Sequence, residues 1–259
     1  MSFTRRQALA LLGAAAIGPT IWAPRVGHAA GAVDLRAIGE WVRGGIERDL
    51  DGSVVRVFDL DAALSGEVLL RATKVDALPN GYAPRDVVNA SANGIPSAGG
   101  QLVRRVIVDD TRALIQAAAA DGLSLYVGSG FRSASYQEAV FAAQVARWGD
   151  ADTANRYSAR PGHSQHQLGT TIDFTTDFRT FRGSPAPDWL RANAQRFGFV
   201  LPYTAAATER TGYIDEPWHG RWVGQSLANR LYAASYLDWT DLDADDVIAL
   251  VRAEAALDA

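Results

Sequence analysis

Two stretches of this chain decide its interpretation: residues 163–173, HSQHQLGTTID, and residues 216–219, EPWH. The chain has four histidines, and three of them lie in these stretches, while the fourth, His28, lies near the amino terminus. Imidazoles and carboxylates gathered in this way are typical ligands of a hydrolytic zinc ion that keeps one coordination position open for water. The two stretches therefore predict a metal site.

The expected metal ligands are His166, Asp173 and His219, with Glu216 left free. His166 and Asp173 are seven residues apart, which would place them on opposite faces of a regular strand, so a turn at Gly169 must bring them together. Glu216 and His219 need a bend of their own, which the proline between them favours by fixing one backbone angle. Both stretches are thus expected to bend around one cavity.

We expect one Zn²⁺ per chain, although two imidazoles and a carboxylate also accommodate other divalent ions. Such an ion lowers the pKa of water towards about 7 and polarises a carbonyl. Glu216 would take the proton of the attacking water and pass it to the leaving amine, which contributes about 10² to 10⁴ in rate. Ser164, Gln165 and Gln167 are candidates for hydrogen bonds that orient the ligands, and Trp218 for a wall of the site.

The sequence leaves the role of His163 open. It could be a fourth ligand, a hydrogen-bond donor to the transition state or a solvated loop residue. A single buried histidine is more often a hydrogen-bonded core residue than a ligand, and for His166 or His219 alone that would be the preferred interpretation. The two stretches together, with their spacing intact, favour the metal site.

Charge and cysteine content exclude several classes of protein. Removal of residues 1–30 would leave 22 basic residues, 25 less three arginines, against 29 acidic ones, whereas a nucleic-acid-binding protein needs a clustered basic face. The chain has no cysteine, which excludes disulfides, thiolate metal ligands and a lipoprotein anchor. The remaining roughly 230 residues are enough to bury one hydrophobic core, so we expect a single domain.

Residues 1–30 have the features of an export signal that is cleaved from the mature protein. The pair Arg5 and Arg6 precedes a weakly apolar run at residues 8–23, and the pair favours the twin-arginine route. The run is interrupted by glycine and proline and is shorter than the roughly 20 residues of a membrane span, so an uncleaved anchor is the less favoured alternative. We expect the mature protein in the periplasm, the cell wall or the medium, without a membrane span.

Periodicity predicts a chain in which helices and strands alternate. Apolar residues at helical spacing predict helices at residues 34–50, 106–120, 136–148, 189–197 and 243–256. Strands are predicted at residues 54–58, 123–127, 170–175, 199–202 and within 213–223. Loops are predicted at residues 78–85 and 155–163.

At these residues the chain resembles the zinc D-alanyl-D-alanine carboxypeptidases of the VanY-like type, which are related in fold to hedgehog signalling domains and lysostaphin-like peptidases. The family pattern is serine-x-histidine-x-x-glycine-x-alanine-x-aspartate followed by glutamate-x-x-histidine. It aligns with Ser164, His166, Gly169, Asp173, Glu216 and His219. An upstream serine-glycine-tyrosine-arginine-serine element is similar to residues 129–133, and the resemblance extends over residues 78–224. Three positions depart from the pattern, none of them a ligand or the base: Phe131, Thr171 and Gly220.

The resemblance implies an α+β fold with a small central antiparallel sheet flanked by helices. It implies a catalytic domain at residues 77–225, preceded by an accessory segment at 31–76 and followed by a helical extension at 226–259. It further implies a D-alanyl-D-alanine carboxypeptidase that acts, as a monomer, on peptidoglycan stem peptides or their precursors.

The resemblance also implies that Arg132 binds the terminal carboxylate of the substrate. A guanidinium matches a carboxylate with two parallel hydrogen bonds and so selects a free C-terminus. Ser129, Gln137, Ser164 and Trp218 are the other expected substrate contacts. The alternative for Arg132 is a structural ion pair with a carboxylate of the chain.

Two further functions remain open from the sequence. The same chemistry could cleave a different bond, as in a D,D-dipeptidase or an L,D-specific or endolytic cell-wall peptidase. A pocket closed beyond Arg132 favours the carboxypeptidase, and an open groove favours the endolytic enzyme. A non-catalytic binding module could retain the metal for structure, as hedgehog domains illustrate, but a structural site has no need of a free base such as Glu216.

Overall fold

The computed structural model describes residues 47–48, 54–55 and 70–233 of the chain. The α-helices are α1 (Val108–Ala120), α2 (Ala134–Trp148), α3 (Ala151–Tyr157), α4 (Phe178–Arg182), α5 (Ala186–Asn193), α6 (Thr208–Thr211) and α7 (Gln225–Ala233). The strands are β1 (Glu47–Arg48), β2 (Val54–Val55), β3 (Val87–Asn89), β4 (Leu102–Arg104), β5 (Thr171–Asp173), β6 (Phe199–Val200) and β7 (His219–Trp222). Short 3₁₀ helices lie at Ser91–Asn93, Arg105–Ile107, Gln165–Leu168, Ala194–Phe197 and Ala205–Ala207.

The sheet that carries the expected metal ligands has three antiparallel strands in the order β5, β7, β6. In its register Asp173 of β5 pairs with His219 of β7. Directly paired residues of antiparallel strands hold their side chains close together on one face. The strand pairs β1–β2 and β3–β4 are also antiparallel. Small antiparallel sheets among helices confirm the predicted α+β class.

Close packing inside this sheet requires a glycine at position 220. A Cβ there would lie 2.6 Å from Cε2 of Phe174. The Phe174 ring is fully buried and packs edge to face against Phe199, with ring centroids 5.5 Å apart. The ring of Phe174 therefore occupies the space that a larger residue at position 220 would need.

The hydrophobic core lies between α1, α5 and the sheet. Buried side chains of α1 repeat at helical spacing and contact apolar residues of α5 and of the strands. The largest members of this core that are almost fully buried are Ile95, Ile107, Leu114, Ile172, Phe174, Leu190 and Phe199. Acidic residues in the first turn of α1 also suit the helix dipole. The core thus supports the sheet from the side of α1.

Three predicted helices are confirmed with shifted ends. The helix predicted at 106–120 is α1, preceded by a 3₁₀ turn. The helix predicted at 136–148 is α2, which begins earlier because the Ser133 side chain accepts the N–H of Tyr136 and caps the helix. The helix predicted at 189–197 consists of α5 and a following 3₁₀ turn.

The prediction of a strand at residues 123–127 was wrong, because this segment forms no ladder. Within it, Val127 makes an isolated parallel bridge to Ser97. Its N–H donates to the carbonyl of Pro96, and its carbonyl accepts from Ala98. Pro96 has no N–H with which the ladder could continue. Leu125 and Val127 are buried, so the apolar pattern reflected burial rather than sheet pairing.

The predicted loop at 155–163 begins later than expected, because α3 extends to Tyr157. The Asp150 side chain caps this helix by accepting the N–H of Thr153 at 2.7 Å. A helix of seven residues is too short for its apolar period to be recognised.

Of the helix predicted at 34–50, the structure describes the pair Glu47–Arg48, which forms strand β1 instead of a helix. Val54–Val55 form strand β2, which coincides with the first two residues of the strand predicted at 54–58. The export signal at residues 1–30 and the helix predicted at 243–256 lie outside the described residues. Within the described part, no helix is both long enough and apolar enough to span a bilayer.

Residues 70–78, which we call the strap, cross the surface beside the three-stranded sheet. The carbonyl of the first strap residue accepts from the guanidinium of Arg221 at 2.7 Å. The N–H of the last donates to the carbonyl of Gly162 at 2.7 Å. Apolar strap side chains also pack on Leu168, next to the expected site. Most of the strap belongs to the predicted accessory segment 31–76, yet it packs against the predicted catalytic domain.

Candidate metal centre

His166 reaches the site from the 3₁₀ helix Gln165–Leu168, which ends at Gly169. Gly169 adopts the left-handed conformation with φ of 71°, and its N–H donates to the carbonyl of His166. A Cβ at this position would lie 2.8 Å from Cγ of Arg104, so glycine is also required by the close approach of that side chain. The chain then enters β5, which carries Asp173. The turn that the odd spacing required is confirmed.

Glu216 and His219 lie on a tight turn that leads into β7. The N–H of Glu216 donates to the carbonyl of Tyr203 at 2.7 Å, and the N–H of His219 donates to the carbonyl of Glu216 at 3.0 Å. This turn brings both side chains to one place, as the intervening proline indicated. The strand register then sets His219 beside Asp173.

The three expected ligands come together in the interior. Nε2 of His166 lies 3.4 Å from Oδ2 of Asp173, and Nδ1 of His219 lies 3.3 Å from Oδ1 of the same carboxylate. One ligand atom from each residue lies within 4.8 Å of the others, and all three residues are buried. Within the described part, Nε2 of His166 and Oδ1 of Asp173 have no hydrogen-bond partner. Buried polar atoms left in this way suit a bound cation, so the residues present fit one metal ion.

Hydrogen bonds on the outer side of each imidazole fix its orientation. Nδ1 of His166 donates to the carbonyl of Gly130 at 2.8 Å, and Nε2 of His219 donates to Oε1 of Gln165 at 3.0 Å. Since both partners are acceptors, the opposite nitrogens carry the lone pairs that face Asp173. Gln165 therefore makes the kind of contact expected from the sequence, whereas Gln167 donates to a backbone carbonyl elsewhere.

The protonation states suit metal binding. Burial, with the positive charge of Arg132 assisting, lowers the pKa of His166 to about 4. Burial opposes ionisation of Asp173, but its contacts with His166 and His219 hold the pKa of this carboxyl well below its usual range. At neutral pH the site therefore offers a neutral His166 and an ionised Asp173, the forms in which these side chains bind metals.

Glu216 lies next to the ligands without joining them. Its Oε2 is 3.6 Å from Nδ1 of His219, and its side chain is 14% exposed. Burial, followed by the negative charge of Asp173, raises the pKa of Glu216 to about 8. A divalent cation between the ligands would favour the ionised form. Glu216 is thus a largely buried carboxyl group that lies beside the three expected ligands and has a raised pKa.

Arg132 lies within electrostatic reach of the Glu216 carboxyl group. Its backbone N–H donates to the carbonyl of His166 at 3.1 Å, and its positive charge lowers the pKa of both His166 and Glu216. The Nε of Arg132 is buried and has no hydrogen-bond partner in the described part, where the side chain also forms no ion pair. The alternative of a structural ion pair has no support among these residues.

The other expected substrate contacts lie around the site. Ser129 pairs through its backbone with Asp173, and Ser164 is buried. Gln137 is fully buried, and its Nε2 donates to Oγ of Ser158 and to the carbonyl of Ala159. Trp218 is buried, and its ring packs against Phe178 and the guanidinium of Arg182. The contacts of Gln137 and Trp218 lie within the protein, and their role in substrate binding stays a prediction.

His163 is absent from the three-residue group that could hold a metal. Its Nδ1 lies 2.7 Å from the carbonyl of Thr73, so its ring ties the loop before the metal stretch to the strap. The described part of the structure therefore gives no support to His163 as a fourth ligand or as a hydrogen-bond donor to the transition state.

Three side chains near the site were missed by the sequence analysis. The ring of Tyr203 lies 4.6 Å from the ring of His219, and Tyr213 packs against Tyr203 at 4.5 Å. Lys74 of the strap lies over the ring of Tyr213. The nearness of Tyr213 to Glu216 in sequence is a weak signal for its position, and nothing in the pattern places Lys74 there.

Comparisons with known proteins agree with this geometry. The VanY family, described as D-alanyl-D-alanine carboxypeptidase, matches residues 100–225. A D-alanyl-D-alanine carboxypeptidase of Enterococcus faecalis is 36% identical over 130 residues, which cover 46% of this chain and 47% of the enterococcal protein. The chain therefore spans about half the length of that curated relative.

Two solved structures are similar over most of their length. VanYB in complex with D-alanine-D-alanine has 29% sequence identity and a TM-score of 0.57, and the match covers 65% of this chain and 93% of that one. A mutant of the vancomycin-resistance D,D-pentapeptidase VanY in complex with Zn(II) gives the same identity and TM-score, with coverage of 66% and 96%. With the match of the family to residues 100–225, these similarities support a VanY-like D,D-peptidase family for this part of the chain.

Proposed function

We propose that this protein is a zinc-dependent carboxypeptidase that hydrolyses the terminal D-Ala-D-Ala bond of peptidoglycan stem peptides or their precursors. The observation that carries the proposal is the buried group of His166, Asp173 and His219 with the carboxyl group of Glu216 3.6 Å from one ligand atom. The names of the relatives support the substrate, and the Zn(II) complex of a VanY structure supports the metal.

His166, Asp173 and His219 would hold the zinc ion. Bound there, the ion would supply a Lewis acid that polarises the scissile carbonyl and makes water more acidic. Glu216, with Oε2 3.6 Å from Nδ1 of His219, lies beside the residues that would hold the ion and would face the water and substrate there. The rest of the reaction depends on side chains of the chain itself.

Glu216 is the base in this proposal. It removes a proton from the attacking water as the new C–O bond forms, and it returns that proton to the nitrogen as the C–N bond breaks and D-alanine leaves. Burial raises the pKa of Glu216, and a bound divalent cation would lower it again, so that the carboxyl group could both accept and donate a proton near neutral pH.

Arg132 binds the carboxylate of the terminal D-alanine. Its buried Nε has no partner in the described part, so a bidentate carboxylate would satisfy the guanidinium and position the substrate. This contact requires a free C-terminus, which supports carboxypeptidase over endopeptidase activity.

The export signal predicted at residues 1–30 supports action outside the cytoplasm. Residues 1–30 combine the arginine pair, the weakly apolar run and the small residues of a cleaved twin-arginine signal. Peptidoglycan lies outside the membrane, so export would bring the enzyme to its substrate.

The test combines metal content with product release. Purified mature protein should contain one zinc per chain and release D-alanine from a pentapeptide ending in D-Ala-D-Ala. Glu216→Ala should keep the zinc and lose about 10² to 10⁴ in kcat. Glu209→Ala, which removes an exposed glutamate of α6, should behave as wild type.

Each other outcome corrects a specific part of the proposal. Zinc loss in Glu216→Ala would make Glu216 a ligand rather than the base. Zinc without D-alanine release would retain the site but reject the substrate, and tetrapeptides and cross-linked peptidoglycan would be assayed next.

A further inference from the structure

A cavity of about 300 Å³ lies beside the metal centre, between the strap and residues 202–213. Gln165 and Tyr203 form part of its wall. Both also contact His219, one by the hydrogen bond at 3.0 Å and the other by ring packing at 4.6 Å. One layer of side chains therefore separates this cavity from an expected metal ligand, and the sequence analysis assigned no function to it.

The lining of the cavity is basic. Three of its side chains are cations, Arg71, Lys74 and Arg210, and none of the described residues that line it is acidic. Arg71 is paired with Asp76 at 2.9 Å. The tyrosines and the amide of Gln165 complete a wall that can accept a charged, hydrogen-bonding group. Such a lining favours an anion over an apolar or cationic group.

Lys74 is the chain's single lysine, and all other basic residues among the 25 are arginines. Its Nζ donates to the carbonyl and, at 3.1 Å, to the side-chain oxygen of Asn155. It also lies 3.2 Å from the centroid of the Tyr213 ring, while its stem packs on Gly212. Among the described residues Lys74 forms no ion pair. The ammonium is thus held in one place by neutral partners.

Burial lowers the pKa of Lys74 to about 7, with the charge of Glu216 opposing and that of Arg160 assisting. The direct contacts of this ammonium, Asn155 and the Tyr213 ring, are neutral, so a carboxylate in contact with it would add a charge-assisted hydrogen bond. The cavity beside Lys74 offers room for such a group.

We propose that the cavity binds a carboxylate of the substrate peptide on the acyl side of the scissile bond, and that Lys74 recognises it. This inference rests on the proposed function. If Arg132 holds the free C-terminus, the peptide ends there, and a second carboxylate can belong only to residues that precede the cleaved bond. The charges of Arg132 and Lys74 both act on Glu216, so the two cations lie within electrostatic reach of one carboxyl group.

The effect of this carboxylate can be measured with two peptides, one that carries it and one that lacks it. A pentapeptide with meso-2,6-diaminopimelate before D-Ala-D-Ala differs from the same peptide with L-lysine by one carboxylate. The inference predicts that the first peptide is the better substrate, by about tenfold or more in kcat/KM, because a hydrogen bond to a charged group contributes that much. The difference should appear in KM rather than in kcat.

The experiment compares D-alanine release from both peptides by zinc-loaded wild type and three variants. Lys74→Met keeps the length of the side chain but not the charge, and it should lose the preference. Any effect of the lost charge on Glu216 would act on both peptides alike and leave the ratio unchanged. Lys74→Arg should keep part of the preference. Arg105→Met removes an exposed cation that does not line the cavity, and it should keep all of it. A wild type without preference, or a Lys74→Met variant that retains it, would overturn the inference.

A binding measurement separates failure of the inference from failure of the proposed function. If neither peptide is cleaved, the proposed function fails, and the single lysine still reports on the cavity. Reductive ¹³C-methylation keeps its charge and gives one lysine signal, which Lys74→Met identifies by its absence. The diaminopimelate peptide should raise the pKa of that signal and the lysine peptide should not. Equal responses would reject the cavity as a carboxylate site.

Discussion

The metal centre and the cavity beside it lie one side-chain layer apart but are built in different ways. The ligands lie on or beside paired strands, and both imidazoles are fixed by hydrogen bonds to Gly130 and Gln165. The cavity depends on the strap, which is held at its two ends and by a few side chains such as Lys74. In our proposals, the chemistry therefore depends on residues on or beside the sheet, and the choice of peptide depends on the strap.

The largest expected effect is the loss of the metal in Asp173→Asn. An amide of the same shape replaces the carboxylate that lies 3.4 Å and 3.3 Å from the two imidazole nitrogens. We expect zinc well below one per chain and no D-alanine release above background, with the fold retained. Elemental analysis, activity and circular dichroism measure these three properties.

The control for this variant is Asp152→Asn, which changes an exposed carboxylate in the first turn of α3. It should keep zinc and activity. Full zinc content in Asp173→Asn would contradict the assignment of Asp173 as a ligand. It would also contradict the view that the metal centre depends on the paired strands β5 and β7.

The next effect is expected in Gln165→Leu, which removes the acceptor for Nε2 of His219. Without it the imidazole can adopt the other tautomer or rotate, so zinc affinity should fall by about 10- to 100-fold. Competition with a chromophoric chelator measures the affinity. Because Gln165 also lines the cavity, a change in peptide preference with unchanged zinc affinity would show that its role belongs to the cavity instead.

A smaller and more local effect is expected in Leu78→Ala. Leu78 is buried against Leu168, and its loss should cost the strap about 2 to 5 kcal/mol of local stability. Hydrogen exchange in residues 70–78 should become faster, and the preference for the carboxylate-bearing peptide should weaken. Zinc content should not change. Loss of zinc would mean that the strap also supports the metal centre and that the two regions are not separable.

The smallest effect is expected in the pH dependence of peptide preference. Burial lowers the pKa of Lys74 to about 7, with Glu216 opposing and Arg160 assisting, so the side chain is cationic below that pH and neutral above it. The kcat/KM ratio of the diaminopimelate peptide to the lysine peptide should therefore fall as the pH rises from about 6 to about 8. The ratio cancels the titration of Glu216, which acts on both peptides. In Lys74→Arg the ratio should stay flat, since arginine does not titrate in this range. A flat ratio in wild type would leave Lys74 without this role.

The metal centre could be predicted from the sequence because its parts are close together within two short stretches. Gly169 signalled the turn between His166 and Asp173, and the structure places that turn as expected. Glu216 and His219 are separated by a proline turn that the strand register then sets beside Asp173. Helices such as α1 were equally clear, because their buried residues repeat at one spacing.

The strap and cavity could not be predicted, because their contacts join distant residues without any periodic pattern. Lys74 contacts Asn155, 81 positions away, and Arg221 donates to Leu70, 151 positions away. The segment 123–127 shows the reverse problem: its apolar residues indicated a strand, but Pro96 beside it cannot continue a ladder. Apolar composition reports burial, and sheet pairing depends on the partner strand.

The position of β7 between two partners also has a consequence for the order of folding. His219 is the first residue of this central strand, and its pairing with β5 closes a long loop in the chain. Contacts of such high sequence separation form late, whereas α1 and α2 can form from local contacts. The three ligands would therefore meet only after the sheet has closed. A metal ion that binds only the closed state stabilises it by RT ln(1 + [L]/Kd), where [L] is the concentration of free metal. Bound metal would therefore oppose reopening of the sheet.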